Sequence, residues 1–108
     1  MSHEPHKAID YIIASAGKFS KAKAQRVFLE EFRKSKKALL MAQSTADAAN
    51  AREQFAYAHP EYIELLEGLR EAVEVEEKLR WDLIAAQARV EVWRTEQANN
   101  RRQDRATT

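Results

Sequence analysis

The chain has no cysteine, and only two of its 108 residues are glycine and two are proline. With no thiol, disulfides and cysteine chemistry are excluded, and redox usage points to no compartment. So few breakers leave little material for turns, and strands are not expected. No apolar run approaches the length of a membrane span, and Met1-Ser2-His3-Glu4-Pro5-His6 lacks the basic-then-apolar order of a signal peptide. The expected setting is therefore cytoplasmic, with no membrane partner. Also lacking is any motif that requires a catalytic, metal-binding or nucleotide-binding reading, so no catalytic residue, cofactor or metal ligand is assigned and a non-enzymatic protein is expected.

What is present is Ala, Glu, Lys, Arg and Leu in abundance, the composition of long helices and coiled coils. From Pro60 onward, Tyr62, Leu65, Leu69, Ala72, Glu76, Leu79, Leu83, Ala86, Val90, Trp93 and Gln97 fall at alternating three- and four-residue steps. They form one seam of a helix over about 60–98, polar only at Glu76 and Gln97. Pro60 suits the first helical position, and Glu61, Glu64 and Glu67 follow where the helix dipole favours negative charge. Upstream, Phe28, Phe32, Ser35, Leu39, Ala42, Ala46, Ala49, Glu53 and Ala56 make a second seam, in a helix expected over about 20–58. Ser44-Thr45-Ala46-Asp47 resembles a capping box that would split this arm, but an uninterrupted helix fits the seam better and is the expectation.

Two helices with so short a link should fold back on each other. Folding at Ala58-His59 places Leu69 by Ala49, Leu79 by Leu39, Ala86 by Phe32 and Val90 by Phe28, large against small in most layers. The fold class expected is all-α, a single domain built as a long antiparallel two-helix hairpin resembling a coiled coil. A short helix at about 7–16, ended by Gly17, is expected to lie across the open end. Residues 99–108, without an apolar pattern, are expected to be a mobile basic tail.

Charge is unevenly spread. Residues 1–40 hold nine Lys/Arg against four Asp/Glu, whereas 60–78 hold two against seven. In the hairpin the closed end is then acidic and the open end basic. Lys18, Lys21, Lys23, Arg26, Arg94, Arg101, Arg102 and Arg105 are the candidate contacts for nucleic-acid phosphates, without sequence preference. The run Glu61, Glu64, Glu67, Glu71, Glu74 and Glu77 lies mostly off the seam and reads as a solvated face. Glu76, within the seam, needs a partner such as Gln43, Ser44 or a residue of a second copy. His3, His6 and His59 are too separated for a shared zinc ion. Outside the seam, Ile63, Leu66, Val73, Trp81 and Ile84 form a partial second stripe that two helices cannot cover. It is the candidate surface for self-association as a homodimer or for a partner protein.

The blocks Val27-Phe28-Leu29-Glu30-Glu31-Phe32-Arg33-Lys34-Ser35-Lys36-Lys37-Ala38-Leu39-Leu40-Met41 and Tyr57-Ala58-His59-Pro60-Glu61-Tyr62, with Leu79-Arg80-Trp81 and Val92-Trp93-Arg94, resemble a group of small helical proteins of tailed bacteriophages. These tend to be encoded near recombination or single-strand annealing functions. The resemblance implies a setting in phage DNA metabolism inside a bacterial host cell, with DNA or a DNA-processing protein as partner. It carries no site residues with it. A structural or adaptor protein with no nucleic-acid role is the alternative.

Overall fold

The computed structural model describes residues 5–107, with side chains to 106. The described chain is all-helical: α1 runs Pro5–Gln43, α2 Ala49–Ala58 and α3 Pro60–Thr107. Its contacts divide into two units, one made of residues 5–20 with 77–107, the other of Lys21–Glu76.

In the second unit α3 starts where Pro60 places it. His59 closes α2, its N–H donating to the Ala56 carbonyl at 3.2 Å, and its Nδ1 accepts the Glu61 N–H at 3.1 Å. One residue thus ends one helix and caps the next. Between α1 and α2, Ser44 Oγ accepts the Ala46 N–H at 3.2 Å. Such a local bond offers the backbone an alternative to the helix ladder, and the arm breaks over residues 44–48 instead of continuing from 20 to 58. The break is real, but Ala48 stands at the N-cap of α2 without a side-chain bond.

The expected seam of α3 is buried or half-buried at every position from Tyr62 to Gln97. The expected seam of α1 is not. Phe28 is 59% exposed and Leu39 58%, whereas Leu40 has no exposed surface and packs with Ala56, Tyr62 and Met41. The buried and half-buried residues include Ala22, Arg26, Leu29, Lys36 and Leu40, on a heptad seam, exposed at Arg33, that is displaced by one residue, or about 100° around the helix, from the expected one. The folding point fails as well: Arg26 meets Glu76 and Lys36 meets Glu61, where a fold at Ala58-His59 would put Val92 opposite Arg26. The break and the separate helix α2 take up the chain that the expected pairing had counted as arm. Arg26 with Glu76 and Lys36 with Glu61 still fix α1 and α3 as antiparallel within this unit.

In the first unit, no short helix ends at Gly17. Residues 7–16 belong to α1, and no glycine has positive φ. Glycine costs a helix interior only about 1 kcal/mol, and the inward positions Ala8, Ile12, Ser15 and Phe19 continue through it. The stretch beyond Asn99 is also helical, up to Thr107, because Arg, Gln and Ala are good helix formers. Arg101 Nε donates to the Gln97 carbonyl at 3.4 Å. Tyr11 donates to Asp82 at 3.3 Å, and Lys7, Ala8 and Tyr11 share a cleft with Asp82, Ala85, Ala86 and Arg89. Lys7 precedes Tyr11 by a turn and Arg89 follows Asp82 by two, so these segments also run antiparallel.

Candidate interaction surface

Glu76 is the one acidic position of the α3 seam, and α1 supplies its partner. Arg26 Nε donates to Oε2 at 2.6 Å and its second terminal nitrogen to Oε1 at 2.9 Å, while the first reaches Glu30 at 3.1 Å. Neither Gln43, Ser44 nor a second copy is needed. The two-point geometry is what a planar guanidinium offers a carboxylate. The Glu76 bond, reinforced by Glu30, holds the Arg26 proton even more firmly than usual. Arg26 is therefore withdrawn from the candidate phosphate contacts.

Further ion pairs tie the helices of this unit together. Lys36 Nζ lies 2.9 Å from Glu61 and holds its carboxyl below the usual range. Lys37 bonds Glu53 at 3.0 Å and lies over the Tyr57 ring, 4.8 Å from its centre; Tyr57 first and Glu53 second raise its pKa. In the first unit, Lys78 bonds Asp82 at 2.8 Å, which pulls the Asp82 carboxyl down and the Lys78 ammonium up.

Within the first unit the remaining candidate cations do not gather into one patch. Lys18 lies seven residues past Tyr11 and Arg94 twelve past Asp82, in opposite directions along antiparallel helices, a separation of about 28 Å at ~1.5 Å per residue. Arg101, Arg102 and Arg105 lie farther still. Arg94 pairs with Glu91 at 3.1 Å. Lys21 and Lys23 belong to the second unit. Lys18, Lys21, Lys23 and Arg102 are exposed and make no ion pair with any described residue.

Ile63, Leu66 and Val73 in the second unit are 46%, 38% and 38% exposed, and Trp81 and Ile84 in the first are 58% and 40% exposed. The buried core among the described residues is Ala8, Leu40, Ala56, Tyr62 and Ala86. Trp81 carries the Arg80 guanidinium 5.3 Å from its ring centre and stays more than half exposed.

One feature had no clear sequence signal. Gly68 lines two adjoining hollows of about 380 and 410 Å³ between α1 and α3 of the second unit. One hollow has Phe32, Lys36 and Leu65 in its walls; the other has Leu29, Ala72 and Val75. Nothing approaches within 4 Å of the place a Gly68 Cβ would occupy. Phe32 stacks on Phe28, ring centres 5.7 Å apart and planes 10° from parallel.

No three His, Asp or Glu among the described residues are grouped to hold a metal ion. His3 lies outside the described residues, and His59 is engaged by Glu61. No described helix is long and apolar enough to cross a membrane. Comparison with known proteins gave no match, whether to a family model, to a curated protein or to a solved structure.

Proposed function

We propose that this chain is a non-enzymatic helical adaptor, working in the cytoplasm, that binds a helix of another protein through Ile63, Leu66, Val73, Trp81 and Ile84 of α3. The observation that carries this reading is the exposure of those five side chains. Ile63, Leu66, Val73 and Ile84 follow the seam of α3 one residue later, and Trp81, two past Leu79, falls within about 80° of them round the helix, an apolar stripe of the kind an added amphipathic helix recognises. The long antiparallel helix pair expected from the sequence is the scaffold of this reading, without a separate short helix. Phage DNA metabolism, suggested by resemblance, is the setting, with a DNA-processing protein as partner.

A second reading, direct contact with DNA phosphates, is supported by the exposed and unpaired Lys18, Lys21 and Lys23. The loss of Arg26 to Glu76 and the separation of Lys18 from Arg94 weigh against it. One experiment separates the two. Wild-type protein and Trp81→Glu are compared for capture of DNA-processing proteins from infected cells, beside a salt titration with fluorescent single- and double-stranded oligonucleotides. Capture lost in Trp81→Glu is expected. Equal capture by both overturns the adaptor reading, and salt-sensitive oligonucleotide binding that Lys21→Glu with Lys23→Glu abolishes replaces it with the phosphate reading.

A further inference from the structure

The groove at Gly68 and the Phe28–Phe32 pair lie on one face of the second unit, and we propose that this face binds a second copy of the chain. In that dimer the aromatic pair of each copy is seated over the Gly68 of the other.

Gly68 is a weak helix residue at a place where nothing inside the chain asks for it. Its φ is not positive, and a methyl group would meet no neighbour. The other helical glycine, Gly17, meets no neighbour either; what sets Gly68 apart is that it lines the groove between α1 and α3, where the missing side chain lets another surface come close to the backbone. Beside it stands a ready occupant. Phe28 is 59% exposed, and its ring stacks parallel to that of Phe32, so the two form one aromatic pair. Exposed aromatic side chains of this kind anchor interfaces.

The same face thus carries both the projection and the hollow. A two-fold axis pairs like patches, so each copy can supply its aromatic pair to the groove of the other. Charge agrees. Glu64 and Glu71 line the groove on the α3 side and make no ion pair with a described residue. Lys21, on the stripe of Phe28 two turns earlier, is exposed and also unpaired. Bringing the α1 stripe of one copy onto the α3 rim of the other joins opposite charges on both sides of the axis.

This surface is distinct from the α3 side chains assigned to the adaptor role, and the test uses that difference. Sedimentation equilibrium on the full chain, with circular dichroism as a check on folding, compares wild type, Gly68→Gln, Phe28→Glu and Ile63→Glu. Wild type should sediment at twice the chain mass of 12.4 kDa. Gly68→Gln, which fills the groove with a better helix former, should keep full helicity while its self-association weakens by about tenfold or more, as should that of Phe28→Glu. Ile63→Glu should remain dimeric. A wild-type monomer, a Gly68→Gln dimer as tight as wild type, or dissociation by Ile63→Glu alone would each overturn the assignment.

Discussion

Leu40→Ala and Leu39→Ala make a paired test of which face of α1 is inside. Leu40 is the largest fully buried side chain, packed with Ala56, Tyr62 and Met41. Truncation removes three carbons from an apolar site, at about 0.8 kcal/mol each, and leaves a cavity bounded by three helices. Met41 is half-buried and flexible enough to lean into the space. The cost is therefore about 3 kcal/mol, in the lower part of the ~2–5 kcal/mol range for such changes. For a chain of this size that corresponds to a melting temperature lower by roughly 10–20 °C. Leu39, 58% exposed, loses far less, below about 1 kcal/mol, and alanine is the better helix former. Thermal unfolding followed by circular dichroism, at one protein concentration, gives both values. Equal losses, or a larger loss for Leu39→Ala, would mean that the inward seam runs through Phe28, Phe32 and Leu39, and the packing described here would be refuted.

Two other predictions concern the charged contacts. The Asp82 carboxyl is held below its ordinary value of 3.8 by Lys78 first and by the Tyr11 hydroxyl with it. A depressed carboxylate stabilises the fold above its unfolded pKa, and that contribution disappears as pH falls through the folded value. The Asp82 side-chain carbon signal in an NMR titration should therefore turn below the ordinary value in wild type, move up in Lys78→Met and move up less in Tyr11→Phe; an unchanged midpoint in Lys78→Met would contradict the contact. In the second unit, Glu76→Gln and Arg26→Met should each lower the melting temperature, and the double variant should lose less than the two losses combined, since either change alone strands the other charge. Strict additivity would show that the two side chains are energetically independent.

Much of α3 was legible because its seam is apolar over many turns and its start is marked by Pro60 and the glutamates after it. The inward face of α1 was not. Two heptad stripes lie one residue apart on that helix, and the outer one carries Phe28, Phe32 and Leu39 while the inner one carries Arg26 and Lys36. Ranking by hydrophobicity selects the wrong stripe, because those two cations come inside only where Glu76 and Glu61 wait on another helix. The sign was in the sequence at one place: a carboxylate in the α3 seam requires a cation across from it. The break after Gln43 has its sign in Ser44-Thr45-Ala46-Asp47, but the seam that an uninterrupted helix would present outweighs it. Gly68 gave no pattern at all, since a groove exists only once two helices are side by side.

The Arg26–Glu76 bond also bears on how the chain finds its fold. Helices with heptad seams can slide past one another by whole repeats at little hydrophobic cost, so a folding chain has several nearly equivalent ways to mispair. A slip of one repeat in one direction would set Arg26 against Leu69 and Glu76 against Phe19, stripping both charges of water with nothing in return; in the other direction Glu76 would meet Arg33, but Arg26 would still face Leu83. Of these three alignments only the native one gives Arg26 a carboxylate. This single contact thus works as an error check during folding, making slipped pairings short-lived even where their apolar contacts are good.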